Sequence, residues 1–535
     1  MKKLLALLIS IITAVLMLTG CNPTADILPG VDGEYKSGNG TFLVEKGDYV
    51  YFINGQESLT ADNTLNTPVK SALVRVKTSD IGKLTDGDLA NDSEVKVDTV
   101  VSKILMTGNY GTGVYFYGDS VYYATPSTNK DKTGAIQNQK TEFASLNLKT
   151  GKFGKAIATA DDNTTSFKFV QVGENVYLTY TLSETVDGAT ENKFKVVNAS
   201  NGEEVYTSSA YESVAFADDN SATVFFTTTA YSESLEQDES FNNLYSYKVG
   251  DADAKLVVTG AGRYALDRDY TATEFEGKEF VYNGNLISGA QGITISLIKN
   301  TGALVVFKVT TTDSNSAYQS NMYFGANIVD GGVNVASFKK LGDSNVHVDK
   351  ALSTNSYYES LNAIYYIDSE NYGLMKYNYE NSNNAEFGTE IISSECKNYS
   401  ISFVDKASGY MYLCNTAEGI YYRANYTAND VKVKQINGIA MQTSTAFYSP
   451  RVIGNYFIGS YANEPFYKYA YVVDMSKIDD ETKLEGKDVT YYENYLETIV
   501  ESDEETIKKV HGTLLGKMNE TDSDLYEKYL EDNFA

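Results

Sequence analysis

Apolar and polar residues alternate along most of this chain in short runs bounded by Gly, Asn and Asp. A period of two is the mark of a strand with one buried side. One run recurs, a Gly or polar turn followed by an alternating strand that carries an aromatic pair. It stands at Gly47-Asp48-Tyr49-Val50-Tyr51-Phe52-Ile53-Asn54, at Gly118-Asp119-Ser120-Val121-Tyr122-Tyr123 and at Gly173-Glu174-Asn175-Val176-Tyr177-Leu178. It returns at Ala222-Thr223-Val224-Phe225-Phe226, at Gly277-Lys278-Glu279-Phe280-Val281-Tyr282 and at Asn362-Ala363-Ile364-Tyr365-Tyr366-Ile367-Asp368. The last copies are Gly409-Tyr410-Met411-Tyr412-Leu413 and Gly454-Asn455-Tyr456-Phe457-Ile458. Most lead into a second alternating strand, such as Leu244-Tyr245-Ser246-Tyr247-Lys248-Val249 or Ile420-Tyr421-Tyr422-Arg423-Ala424-Asn425.

Successive copies lie roughly 45–70 residues apart, room for one four-stranded antiparallel sheet each. Separate sheets leave open edges, and radial repetition protects them. The expected fold is therefore all-β, a β-propeller of seven or eight four-stranded blades over residues 41–476, with a sandwich array or a solenoid as the alternative. Residues 300–360 fit the repeat poorly. The segment Thr41-Phe42-Leu43-Val44-Glu45 is a candidate to close the ring by pairing near Tyr469–Val473.

From Lys477 the pattern changes. Ser502 and Glu505 form a capping-box signature, after which Ile507, Val510, Leu514 and Met518 recur at helical spacing. Thr521 with Asp524 starts a second helix, and Val489, Tyr492, Leu496 and Ile499 suggest an earlier one. Residues 477–535 are thus expected as a short α-helical segment, packed on the propeller or offered to a partner. They hold seven Lys and 17 acids.

Four long polar stretches follow the first four aromatic strands, at Gln56–Lys70, Pro126–Thr141, Ser183–Asn192 and Tyr231–Asn242. The later equivalents, Ser369–Tyr372 and Thr416–Glu418, are short. Loops at one point of every unit emerge on one face, so the long ones suggest a binding rim on half of the ring. Neutral loop growth explains them equally well.

The N-terminus has a different pattern, with Lys2 and Lys3 ahead of an apolar stretch from Leu4 to Leu18. That is the layout of an export signal over residues 1–20. The junction Leu18-Thr19-Gly20-Cys21 resembles the lipobox of bacterial lipoproteins. The resemblance implies cleavage before Cys21, lipidation of its sulfur and attachment to the outer face of the bacterial cell membrane. Acyl chains contribute about 0.8 kcal/mol per buried CH₂, enough for durable anchoring when two or more are present. Residues 21–40, with Pro23, Pro29, Gly30, Gly33, Gly38 and Gly40, read as a flexible tether of at most about 65 Å.

Composition narrows the chemistry. The 535 residues include 44 Tyr, 23 Phe, no Trp, two His and three Cys, with a formal net charge of −27. Losing residues 1–20 removes Lys2 and Lys3 and takes that charge to −29. Such acidity, with no cluster of Lys and Arg, argues against nucleic acid. His347 and His511 are the only imidazoles; no pair of His stands at metal-ligand spacing for a zinc site, and a Ser-His-Asp triad would have to use one of these two, neither accompanied by a Gly-x-Ser-x-Gly elbow. No phosphate loop occurs, and no cofactor is expected. Asn129, Asp131, Thr133 and Gly134 imitate half a calcium loop, but Lys140 stands where a bidentate Glu is needed. Acidic turns such as Asp161-Asp162 and Asp218-Asp219 read as solvated turns before they read as cation sites. Cys414 lies in an apolar strand and reads as a buried thiol, a disulfide with Cys396 being the alternative. The alternating Tyr read first as packing residues and only second as platforms for sugars or peptides.

The aromatic units resemble the tyrosine-rich β-propeller domains of uncharacterised bacterial lipoproteins, and in pattern the Tyr-Trp-Thr-Asp propellers of low-density-lipoprotein-receptor-like proteins. Tyr365-Tyr366-Ile367-Asp368 followed by Gly373-Leu374-Met375-Lys376-Tyr377-Asn378 carries that likeness, with Tyr51-Phe52-Ile53-Asn54 a fainter copy. The resemblance implies a fold and a surface location. The expected function is a lipid-anchored binding or scaffold protein that takes a protein or glycan on one face. A carbohydrate-active propeller enzyme with a carboxylate pair is the alternative, and a structural role in an envelope complex a third. No catalytic residue is nominated.

Overall fold

The computed structural model describes residues 27–53, 72–81, 98–101, 104, 113–126, 140–161, 166–231, 240–260, 281–282, 285–286, 292–312, 319–333, 339–381, 389–417, 419–436, 450–460, 470–476 and 513–515. Apart from one two-stranded ribbon, their strands form eight antiparallel sheets, each built on four strands met in chain order. Blades 1 to 4 begin at Leu43, Tyr115, Phe167 and Ser213, and blades 5 to 8 at Gly292, Tyr357, Ser400 and Arg451.

The aromatic pair explains why the sheets form a ring. Neighbouring residues of a strand point to opposite faces, so a doublet feeds two different interfaces. Phe226 packs toward blade 3 with Phe194 and Tyr247, while Phe225 packs toward blade 5 with Val305 and Phe307. Tyr366 joins Tyr323 and Leu341 of blade 5, while Tyr365 joins Met411 and Leu413 of blade 7. Phe143 of blade 2 meets Phe167 and Phe169 of blade 3 at 5.1 and 6.4 Å. Phe457 of blade 8 lies 5.4 Å from Tyr421 and 6.0 Å from Tyr412 of blade 7. Ile453, Ile458 and Val472 of blade 8 share a core with Phe42, Val44 and Phe52 of blade 1. Every sheet thus packs on the next and the eighth on the first, which makes the fold an eight-bladed β-propeller. Tyr51, Tyr247, Tyr366, Tyr377, Tyr412 and Tyr421 are fully buried packing residues.

The Gly of the repeat has a local cause. In blades 1, 2, 3 and 8 the first two strands are joined by two residues, beginning with Gly47, Gly118, Gly173 and Gly454. Their φ values of 56–60° lie in the left-handed region, where Gly bears no Cβ penalty.

Several expectations are corrected. The copy at Gly277–Tyr282 is not the core of a blade among the described residues, where its end Val281–Tyr282 pairs with Asn285–Leu286 in a two-stranded ribbon. Blade 5 comes from Gly292–Asn300, Leu304–Thr312, Gln319–Asn327 and Lys339–Asp343, the stretch that fitted the repeat poorly. Leu304-Val305-Val306-Phe307 fills both interfaces without a Tyr, since burial requires apolar volume and not a particular ring.

The ring is not closed by strand pairing between Thr41–Glu45 and Tyr469–Val473. Ala470–Asp474 already pairs with Tyr456–Ser460 on one edge and Thr513–Leu515 on the other. Leu43–Lys46 pairs within blade 1, and Thr41 bridges to Val114 at the start of blade 2. Leu514, placed on a helix by its spacing, lies instead in the outer strand of blade 8 opposite Tyr471. The other residues named for the helical segment lie outside the described residues.

The 21–40 tether is also shorter than its sequence suggests. Tyr35–Ser37 pairs with Leu43–Lys46 as a fifth strand of blade 1, and Val31 is buried in the blade 1 core. Fully buried Arg75 stacks on Tyr49 with 4.0 Å from Cζ to the ring centroid and donates to the carbonyl of Pro29 at 2.7 Å. Cys396 and Cys414 are free and buried, and burial pushes both thiols up to about 11.

Candidate functional site

The inner strands surround a central cavity of about 960 Å³. An antiparallel meander fixes what each face carries. The second strand of a blade ends beside the start of the inner strand, so the hairpin between second and third strands rises from the face where inner strands begin. The turns after the inner strands lie on the opposite face.

The hairpin face is uneven. In blade 3 the second and third strands are Asn175–Val186 and Ala189–Asn198, and the inner strand Phe167–Val172 reaches only to Tyr180. From Leu182 to Val186 the second strand pairs with the third alone, a free ribbon about 17 Å tall. Ser183–Asn192 is therefore paired strand on either side of an Asp187-Gly188 turn with both φ positive, and not an irregular loop. Lys193 and Lys195 each bridge two carboxylates here, at 2.9 Å to Glu191, 3.5 and 3.8 Å to Glu184 and 3.3 Å to Glu204. Blades 4 and 5 carry second strands of nine residues, Thr223–Tyr231 and Leu304–Thr312, against six in blades 6 and 7. Gln56–Lys70 and the central parts of the stretches after Pro126 and Tyr231 lie outside the described residues.

The cavity wall carries charge of both signs in an acidic protein, with Lys168, Lys299, Lys406 and Arg451 against Asp218, Asp219 and Glu359. Lys168, on the inner strand of blade 3, donates to the carbonyls of Ala217, at 2.6 Å, and Asp219 at the end of the blade 4 inner strand. Burial pulls its pKa down to about 8 against the attraction of Asp219 and Asp218. Lys299 pairs with Asp218 at 2.9 Å. The Asp219 carboxylate accepts the Ser221 N–H at 2.8 Å, and that of Glu359 accepts the Tyr426 hydroxyl at 3.4 Å. Lys406 sits 5.7 Å from the centroid of the Tyr357 ring. Burial lowers Arg451 to about 10, and its guanidinium faces Phe403 at 5.2 Å. All three wall carboxylates thus have a partner already, and the wall offers hydrogen-bonding groups beside exposed edges of Tyr and Phe.

Of the residues singled out by sequence, Asp218 and Asp219 reach this cavity, as ion-pair and turn residues. His347 lies on a short helix, Val346–Ala351, away from the cavity wall. Its Nδ1 is 3.4 Å from Asp368, which is fully buried and also takes Lys350 Nζ and the Glu370 N–H at 3.0 and 3.1 Å. Burial opposes the Asp368 charge, but those donors outweigh it and hold the carboxyl below its usual range. Cys21, His511 and the Asn129–Lys140 half-loop lie outside the described residues. Among the described residues no three of His, Cys, Asp and Glu are placed to hold a metal ion, and no helix is long and apolar enough to cross a membrane. Lys168, Lys299, Lys406 and Arg451 carried no sequence signal, because isolated charges on different blades converge only through the ring.

No family model matches this chain, and no curated protein matches it. Among solved structures it is similar to the β-propeller domain of the Trilobed protease from Pyrococcus furiosus, which has an open velcro topology. The identity is 9% over 83% of this chain and 95% of that one, with a TM-score of 0.34. It is similar also to an acylaminoacyl peptidase from Pyrococcus horikoshii, at 8% identity over 80% and 58% of the two chains and a TM-score of 0.34. An oligogalacturonate lyase in complex with manganese matches at 8% identity over 58% of this chain and 82% of that one, with a TM-score of 0.29.

Proposed function

We propose that this chain is a binding protein held by a lipidated Cys21 on the outer face of a bacterial cell membrane, taking a protein or glycan at one face of its propeller. The observation that carries the reading is the central cavity. It is large, lined from almost every blade, and mixes charged groups with the rings of Tyr115, Tyr357 and Phe403. Pockets of this volume with a few convergent polar groups are the usual places for ligands. The taller hairpins of blades 3 to 5 give that ring a one-sided rim, which adds contact area beyond the cavity.

A binding role fits the wall better than carboxylate-pair hydrolysis or lyase chemistry. General acid–base work on a glycoside needs two carboxyl groups facing one substrate bond. Here Asp218 is tied to Lys299, Asp219 to the Ser221 N–H and Glu359 to Tyr426.

Two measurements test the reading. The full-length chain expressed in a bacterial lipoprotein-processing host is expected in the membrane fraction, and its Cys21→Ser variant in the soluble fraction. The mature chain is expected to retain particular glycans on an array or particular proteins from envelope extracts. Retention of nothing, by a chain whose melting is cooperative, would refute the binding role.

A further inference from the structure

The geometry points to a fixed orientation on the lipid surface. The propeller face that carries the turns after the inner strands lies against the membrane, and the hairpin face with the blade 3 ribbon points away from it. This rests on the lipid anchor at Cys21 proposed above, and goes beyond it in saying which surface meets the lipid.

The argument begins where the N-terminal segment is held. Leu28 sits in an apolar crevice with Val31, Tyr51, Leu146 and Leu148, between blades 1 and 2. Arg75, gripped by Asp98 at 3.1 Å, takes the Pro29 carbonyl. Lys46 Nζ donates to the carbonyl of Gly33, and Gly33 lies so close on Gly47 that a Cβ there would stand 2.2 Å from the Gly47 Cα. Lys149 bridges Asp32 at 3.4 Å to Asp119 at 3.0 Å. Gly47 and Asp119 belong to the turns that follow the inner strands of blades 1 and 2. The segment therefore runs across the turn face, and its free end leaves from there at exposed Ile27.

Lengths then decide the orientation. From Cys21 to Ile27 the chain spans at most about 20 Å. The second strand of blade 3 runs for twelve residues from the turn face to the ribbon tip, about 40 Å. A leash half as long as that wall is tall, leaving the turn face at blades 1 and 2, cannot carry the ribbon tip to the surface holding the anchor. The net charge, −29 once Lys2 and Lys3 are lost, opposes adsorption on anionic lipid and leaves the leash to set the contact.

The test uses the full-length, lipidated chain in vesicles of phosphatidylcholine with a fraction of headgroup-quencher lipid. Single cysteines are introduced at exposed positions, Asp48→Cys on the turn face and Thr185→Cys on the ribbon, and labelled with a fluorophore. Buried Cys396 and Cys414 do not compete for the label. The expected result is quenching of the Asp48→Cys label at least several-fold stronger than that of the Thr185→Cys label. Equal quenching, or stronger quenching on the ribbon, overturns the orientation. A chain that fails to bind vesicles, with Cys21 unmodified by mass, overturns the anchor instead, so the two failures are distinct. A variant with Gly-Ser repeats inserted after Asn22 to treble the leash is expected to narrow the difference. An unchanged difference in that variant would show that the leash does not set the orientation.

Discussion

Blades 3 and 7 share a topology and differ in height. In blade 7 the second and third strands, Tyr410–Asn415 and Ile420–Asn425, are six residues each, and the inner strand matches them almost throughout. In blade 3 the equivalent strands have twelve and ten residues, and their upper part has no inner partner. Below that level both blades bury apolar side chains on both faces, Phe, Tyr, Leu and Val in blade 3 and Met, Tyr, Leu, Cys and Ala in blade 7. Above it blade 3 is held by cross-strand pairs and by Lys193 with Glu184 and Glu191. The ring therefore dictates sequence only over the height shared by neighbouring blades. Beyond that height the strands answer to their partner across the ribbon and to whatever the ribbon meets.

The largest effect is expected inside the shared height, and alike in both blades. Phe194→Ala removes a ring that packs on Tyr206, Phe226 and Tyr247, and is expected to cost about 3–5 kcal/mol by urea denaturation. Leu413→Ala in blade 7 is expected to cost about 2–5 kcal/mol. A much smaller loss in blade 3 would mean that its tall hairpin leaves the core less tightly packed.

Asp368→Ala comes next, at about 2 kcal/mol near neutral pH, because it removes the buried acceptor of the Glu370 N–H and of Lys350, leaving Lys350 only its exposed pairing with Glu370, and loosens the helix Val346–Ala351. The wild-type carboxyl is depressed in the folded state, so its contribution is present above about pH 4 and disappears as pH falls through the lower folded value. Urea midpoints at pH 3 and pH 7 should therefore differ less in the variant than in the wild type.

Removing Thr185–Thr190 and closing the ribbon with Asn-Gly is expected to change stability by under about 1 kcal/mol, since exposed ion pairs and a free ribbon contribute little. The same change is expected to weaken capture of a macromolecular ligand. A large loss of stability would show that the ribbon supports the ring after all.

A further effect, seen only as a pH dependence, concerns Lys168. Its folded pKa of about 8 lies below the unfolded value near 10.4, so the unfolded chain binds more protons between those values and stability rises with pH across that window. Lys168→Met should flatten the rise between pH 8 and pH 9.5, read as the shift in urea midpoint.

Much of the fold was legible because a doublet such as Tyr365-Tyr366 reports on two interfaces at once. The doublet misled at Gly277–Tyr282 and was missing from Leu304–Phe307, where aliphatic side chains fill the same volume. The ribbon has no strand signature in the sequence because Ser183-Glu184-Thr185 and Thr190-Glu191-Asn192 have no apolar face, although Asp187-Gly188 is a hairpin signal in its own right. Leu514 followed a helical period that pairing with Ala470–Asp474 overrode. The cavity lysines were invisible for a different reason, since no spacing along the chain encodes convergence around an axis.

Closure of the ring without a shared strand has a kinetic consequence. Interfaces between blades consecutive in the chain join neighbours whose connection keeps them at high effective concentration. The interface of blade 8 with blade 1 joins the two ends of the array, where Ile453, Ile458 and Val472 meet Phe42 and Phe52 by side-chain packing. It works as the clasp of a bracelet. Among the described blades it is the interface whose two sides lie farthest apart along the chain, so opening of the ring at that seam is the opening least opposed by chain connectivity.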